Sequence, residues 1–244
     1  MYSKQVEVIG NEHLTSDVFK LILKEDVTPK PGQFYMIGLE GRDIFLKRPI
    51  SVYDMDPDLG QLSLLCANVG KGTSYMSKLK KGDIVDIVGP LGNGFDIKNI
   101  SGKVALVSGG IGIAPFMNLV KNIEQVSFDL YSGFRSDTYC TNEFEQYVDN
   151  IYISTDDGST GHKGFVTDLV DPCKYDLVIT CGPEIMMKKV IAMCKKDNIP
   201  SLASLENRMA CGIGACLVCS CKTVEGMKRT CMDGPVFKGE ELIF

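Results

Sequence analysis

The stretch KVALVSGGIGIAPF, residues 103–116, decides the fold. Its first six residues form a largely apolar run, the pattern of a strand buried on both faces of a parallel sheet. The run then gives way to Gly109, Gly110 and Gly112, which permit a tight turn and close backbone approach, and to Pro115, which suits the first turn of a helix. Such a strand–glycine loop–helix unit presents orphan N–H groups and a positive helix end where a pyrophosphate can sit. It departs from the G-x-G-x-x-G/A fingerprint because Pro115 replaces the third small residue, so a plain tight turn stays open as the alternative.

Downstream the alternation continues. Helices are expected over 115–124, 140–148 and 183–196, and strands over 127–133, 151–155 and 174–182. That rhythm argues for an open, mostly parallel α/β sheet. Cys181-Gly182-Pro183 falls between an apolar strand and a helix. Gly182 removes a side chain that would block a flat ring at the strand's carboxyl end, the edge where such sheets bind ligands. An ordinary connecting loop is the other reading.

Upstream the sequence is all-β. Short β-rich runs at 5–10, 18–24, 33–39, 48–53, 61–67 and 83–89 are separated by Gly/Pro/Asp turns, which suggests a small antiparallel barrel. Only 70–80 breaks the pattern, with Thr73 expected to N-cap one helical turn. Arg48-Pro49-Ile50-Ser51 joins a cation and a hydroxyl on one strand, and Gly70-Lys71-Gly72-Thr73-Ser74 offers N–H groups at a helix start. Both suit a diphosphate, against the alternative that Arg48 is a solvated strand charge. The loop at 88–95 reads as a connector.

The tail differs from both. Five of the ten cysteines lie in the last 34 residues, a segment too poor in large apolar residues to hold its own core without a staple. Cys211-x4-Cys216-x2-Cys219, with Cys231 further on, has the spacing of plant-type [2Fe–2S] ligation. Gly212 and Gly214 let that loop fold close with its N–H groups inward. A zinc site is the rival, although only one C-x2-C knuckle is present. Cys221 reads as a non-ligand, since the register is complete without it. The expected organisation is therefore multidomain: a barrel over 1–98, an α/β nucleotide unit over 99–202 and a small cluster unit over 203–244.

Other classes lose ground. A net charge of −5 leaves no footprint for nucleic acid or anionic membrane. No apolar run approaches the roughly 20 residues of a membrane span, and the first residues lack a signal-peptide core. A cytoplasmic setting with reduced thiols follows as the expectation. His13 and His162 lack metal spacing and read as loop residues, and Asp156-Asp157 reads as a solvated turn. No hydrolase motif is visible.

Taken in order, the Arg-x-x-Ser strand, the glycine loop ending in Pro115, the CysGlyPro turn and the cysteine tail make a family-specific series. The first two regions resemble the ferredoxin–NADP reductase superfamily. The whole chain, through ENRMACGIGACLVCSCK (206–222) and CMDGPVF (231–237), resembles the electron-transfer subunits of type B dihydroorotate dehydrogenases. That resemblance implies FAD on the barrel, held by Arg48, Pro49, Ile50 and Ser51, by Leu65, Cys66 and Ala67, and by Gly72 and Thr73. It implies NAD as a diffusible substrate at Gly109, Gly110, Gly112, Pro115, Cys181, Gly182 and Pro183. It implies a [2Fe–2S] cluster on Cys211, Cys216, Cys219 and Cys231.

The implied partner is an FMN-containing catalytic subunit, two of each forming a heterotetramer. The implied role is electron transfer from dihydroorotate oxidation to NAD+ in pyrimidine (UMP) biosynthesis, with no residue of this chain oxidising dihydroorotate itself. A flavin/iron–sulfur reductase subunit serving a hydrogenase or a ferredoxin-linked system is the alternative, as is NADP in place of NAD, since Arg135 follows the second α/β strand. Ile50 stands where many reductases of the superfamily carry a flavin-contacting Tyr, and the chain runs on past the α/β region into the cysteine segment.

Overall fold

A computed structural model describes residues 2–39 and 44–244. The first unit contains β1 (Tyr2–His13), β2 (Val18–Lys24), β3 (Phe34–Gly38), β4 (Arg48–Asp56), β5 (Gln61–Ala67), the short helix α1 (Lys71–Met76) and β6 (Ile84–Leu91). Its strands close into a barrel in the order β1-β2-β5-β4-β3-β6, every neighbour antiparallel. Phe19, Leu21 and Leu23 of β2 point inward at alternate positions and meet Leu62, Leu64 and Cys66 of β5 in one sealed core. Burying each large apolar side chain contributes about 1.5–3 kcal/mol, so the alternation selects the register. Thr73 acts differently from the expected N-cap. It sits in the third position of α1, where its Oγ1 accepts from the N–H groups of Val69 and Gly70, and Gly70 takes the cap position.

The second unit runs through β7 (Lys103–Gly109), α2 (Ala114–Lys121), β8 (Ser127–Phe134), β9 (Asn150–Thr155), β10 (His162–Lys163), β11 (Leu177–Cys181), α3 (Glu184–Asp197) and β12 (Ser201–Ser204). The tail adds β13 (Ser220–Thr223), β14 (Gly226–Arg229), β15 (Val236–Lys238) and β16 (Leu242–Ile243). The main sheet has seven strands in the order β10-β9-β8-β7-β11-β12-β15, parallel throughout except for the antiparallel β12–β15 pair. The last strand therefore comes from beyond the final cysteine, while β14-β13-β16 form a small sheet of their own.

Several elements depart from the sequence reading. The helix expected over 140–148 is one 3-10 turn, Thr141–Phe144, entered through a left-handed Cys140 at φ 60°. Only Phe144 and Thr141 of that turn are buried, too narrow an apolar stripe to hold a longer helix. The helix expected over 115–124 is α2 and stops at Lys121. His13 and His162 lie in strands rather than loops.

The barrel and the sheet share a core. Val18, Tyr53 and Leu65 pack with Phe116, Leu119 and Phe144, and the Lys121–Asp54 (2.7 Å) and Lys20–Glu143 (2.8 Å) ion pairs rim the contact. At the far, amino-terminal edge of the sheet, Asp129 is 1% exposed and accepts from Asn150 Nδ2 (2.7 Å) and Tyr175 Oη (2.8 Å), with Lys103 Nζ at 3.1 Å. Burial alone would raise this carboxyl, but Asn150, Tyr175 and Lys103 hold it below the usual 3.8. Asp129→Ala is expected to cost about 1–3 kcal/mol in urea unfolding at neutral pH, since the buried Tyr175 hydroxyl loses a charged acceptor while Asn150 and Lys103 resolvate. The wild-type contribution is complete above the unfolded carboxylate value and fades as pH falls through the lower folded one, so the two proteins converge in acid.

Candidate functional site

The candidate residues gather in three places. On the barrel, Arg48 opens β4 and its guanidinium lies over Gly72 at the start of α1; a Cβ on Gly72 would overlap it. The Arg48 Nη1 donates to the Leu46 carbonyl, which steadies the side chain. A cation thus meets the free N–H groups of a first helical turn, an arrangement that fits a diphosphate. Pro49, Ile50 and Ser51 follow half-buried along β4. Leu65 and Cys66 are fully packed, the first in the shared core and the second inside the barrel, so their side chains face away from any ligand. Burial pushes the Cys66 thiol well up, which makes it inert. Of these three residues only Ala67 is half-open, leaving backbone as the offer of the other two.

At the carboxyl edge of the sheet the two glycine loops lock together. A Cβ on Gly112 would overlap the Cys181 carbonyl and lie 2.7 Å from Gly182 Cα, and one on Gly182 would lie 2.8 Å from Gly109 N. Gly109 faces Pro183 in the same way, at 2.6 Å from its Cδ. The stretch 109–112 and the turn 181–183, far apart in sequence, form one backbone-lined surface. Pro115 is buried in the first turn of α2, as its fixed φ favours.

Cys181 is sealed from solvent, and its Sγ donates to Glu206 Oε1 at 3.6 Å. Burial, and then the Glu206 charge, push this thiol well above its ordinary range. The Glu206 carboxyl is raised by dense surroundings and partly brought back by the thiol, although its outer face meets solvent in a recess. That recess is a cavity of about 420 Å³ between Gly182-Pro183, the start of α3, and β13 with β16. Sequence reasoning assigned Glu206 no role. The available signal was a lone carboxylate directly after a strand, but β12 is too short and too Ser/Ala-rich to announce itself.

The third place is the tail. The loop 211–219 rests on the barrel: Met209, Cys219 and Cys231 pack with Phe34, Met36 and Leu91 in one apolar cluster. A Cβ on Gly212 (φ +71°) would lie 2.6 Å from Met36 Cγ. The loop 88–95, expected as a connector, also docks the tail, through Asn93 N–H to Gly234 O (2.7 Å) and Asn93 Nδ2 to Met232 O (3.0 Å).

The four candidate thiols are all free, with Cys216 acting on the Cys211 thiol and Cys219 on the Cys231 thiol. Backbone N–H groups turn toward them: Ile213 N to Cys211 Sγ at 3.4 Å and Gly214 N to Cys231 Sγ at 3.1 Å. Burial opposes ionisation of Cys211, but the N–H groups of Ile213, Cys216 and Ala215 and the Cys216 thiol bring it down to about 6. Burial and the adjacent Cys219 push Cys231 up to about 12. A set of four thiols, one already favoured as the thiolate, has the chemistry an iron–sulfur cluster takes. Cys221 packs against the apolar cluster that includes Met187 and Ile191 of α3, and burial raises its thiol.

Residues 206–243 match the family model described as the iron-sulfur cluster binding domain of dihydroorotate dehydrogenase B. A relative from Clostridium acetobutylicum, an electron transfer subunit of dihydroorotate dehydrogenase B (NAD(+)), is 50% identical, covering 97% of this chain and 96% of its own. The subunit of the same name from Caldanaerobacter subterraneus is 40% identical, covering 100% and 99%. Among solved structures, a chain of the NADH-dependent reduced ferredoxin-NADP oxidoreductase superposes with a TM-score of 0.88 at 32% identity, over 98% of this chain and 89% of that one. A ferredoxin NADP+ reductase from Neisseria gonorrhoeae, at 16% identity and TM-score 0.65 over 80% and 92%, shares the fold.

Proposed function

The chain belongs to the family of dihydroorotate dehydrogenase B electron transfer subunits, and from that premise we propose how its residues divide the passage of electrons between dihydroorotate oxidation and NAD+. The bound groups supply the redox chemistry, since nicotinamide exchanges electrons in pairs, an iron–sulfur cluster singly, and a flavin either way. The protein supplies position.

Arg48, with the first-turn N–H groups at Gly72 and Thr73, holds the FAD diphosphate. The backbone of Pro49 to Ser51 and of Leu65 to Ala67 lies along the rest of that cofactor. Gly109, Gly110, Gly112 and Pro115 receive the NAD diphosphate at the loop before α2. Cys181, Gly182 and Pro183 give the nicotinamide ring a wall without side chains, with Glu206 behind the thiol. Cys211, Cys216, Cys219 and Cys231 hold the [2Fe–2S] cluster. We take residues 1–98, 99–202 and 203–244 as the three units that carry these groups, the third lending β15 to the second.

The observation that carries this reading is the packing of Cys219 and Cys231 against Phe34 and Met36 of β3, the strand next to Arg48 and its β4, which supports a one-electron group beside a flavin on that face. The partner is a catalytic subunit, which we take to carry FMN and to assemble as two of each. Its docking surface is the apolar rim of the cysteine loop: Ile213 (43% exposed), Leu217 (61%), Val218 (56%) and Met232 (45%). Among the described residues no helix is long and apolar enough to cross a membrane. We place the protein in the cytoplasm, where clustered thiols stay available to metal.

Anaerobic purification with the partner tests the reading. The expected preparation holds about two irons and two acid-labile sulfides per chain with FAD, and reduces NAD+ when given dihydroorotate. One zinc per chain, or reduction confined to NADP+, overturns it.

A further inference from the structure

The three residues after β12 each reach a different part of the molecule. Leu205 N–H donates to Pro235 O at 2.9 Å, Glu206 receives the Cys181 thiol, and Asn207 turns toward the cysteine loop. The Asn207 Nδ2 donates to Thr230 Oγ1 at 2.9 Å and to Cys219 O at 3.4 Å. Thr230 N–H donates to the same Cys219 carbonyl at 3.0 Å. Thr230 is wholly buried, precedes Cys231, and its hydroxyl also bonds the Cys221 thiol.

The location gives this amide its leverage. The β13–β14 ladder ends at Ser220↔Arg229, and the two strands then part, one toward Cys219 and the other toward Cys231. Past the last ladder rung the Thr230–Cys219 backbone bond and the Asn207 amide tie Cys219 itself to the 230–231 segment, while Gly214 N–H reaches Cys231 Sγ from further round the loop. Both N–H bonds of one side-chain nitrogen are spent there, one on each segment. Neither a carboxylate nor an apolar side chain of the same size can make that bridge.

We propose that Asn207 is a positioning residue for the Cys219–Cys231 half of the cluster site: its amide fixes the separation of these two thiolates, with Thr230 as the next link. The proposal rests on the reading of Cys219 and Cys231 as ligands. Partners of this outer kind orient metal ligands, and their loss typically lowers metal retention about 10–100-fold.

The test uses the full chain, isolated without oxygen and with FAD bound. Asn207→Leu and Asn207→Asp are expected to release iron to a chelator about tenfold faster or more, to shift the electron paramagnetic resonance of the reduced cluster, and to lower its reduction potential, because a donor dipole facing the ligand loop is gone. Asn207→Gln, which keeps the amide, returns toward the wild-type spectrum. Thr230→Val removes one hydroxyl and moves the same readings in the same direction, and it decides the matter if Asn207→Leu fails to fold. Resonance, potential and chelation unchanged in these variants, with FAD content intact, overturn the proposal. A wild-type protein without a two-iron signal, or a Cys219→Ser variant that keeps it, overturns the ligand assignment itself.

Discussion

Cys219→Ser abolishes the iron–sulfur absorption, keeps FAD, and lowers dihydroorotate-dependent NAD+ reduction by more than about 100-fold, since loss of a ligand exceeds the effect of losing its outer partner. Oxidation of NADH by a small two-electron acceptor survives, because the glycine loops and the Arg48–Gly72 cradle lie outside the cysteine loop. Cys221→Ser is the paired control. Its thiol packs against the apolar cluster that includes Met187 and Ile191 of α3 and lies outside the C-x4-C-x2-C spacing, so the absorption remains. Absorption lost in Cys221→Ser and kept in Cys219→Ser would reverse the assignment. Iron content and visible circular dichroism of the two variants distinguish these results.

Gly112→Ala strikes the other end of the electron path. The added methyl meets the Cys181 carbonyl and Gly182 Cα, both backbone, so no flexible side chain can yield. The two loops must part, at a cost of about 1–3 kcal/mol of overpacking. A displacement of about 1 Å at a substrate-positioning surface can cost 10²-fold. The expected result is a kcat/KM for NADH lowered by about 100-fold with FAD and iron content unchanged. Gly110→Ala separates crowding from conformation. A Cβ there meets nothing nearer than Tyr139 Oη at 3.6 Å, leaving only the strain of φ +53°, about 1–2 kcal/mol. Steady-state kinetics that rank the two variants in the opposite order would refute the interlocked-loop argument.

What the sequence made legible follows from how local each signal is. The run 103–116 carries its strand, turn and helix start in consecutive residues, and β7, the glycine turn and α2 stand where it puts them. The barrel was readable because alternating burial leaves a period in the chain. The thiol spacing 211, 216, 219 likewise records a single loop. Nothing local announces the rest. Ser201–Ser204 is a strand because Cys181 and its neighbours pair with it, not because Ser-Leu-Ala-Ser favours extension. Residues 140–148 carry helix-forming residues but bury too little of them. The contacts of Glu206 with Cys181 and of Gly72 with Arg48 join segments 24 or more residues apart, and no single window of sequence holds both partners.

The pairing of β15 with β12 has a bearing on how the chain is made. With Leu205 N–H bonded to Pro235 O, the cysteine loop is an excursion whose two ends meet at the sheet's rim. On the ribosome, the rim of the nucleotide unit stays unsatisfied until residue 238 has emerged, shortly after the last thiol, Cys231. An unpaired strand edge is an adhesive surface. Cluster assembly and completion of the sheet therefore fall in the same late interval of biosynthesis, and a protein shortened before 236 to leave out the metal would forfeit the rim of its nucleotide unit as well.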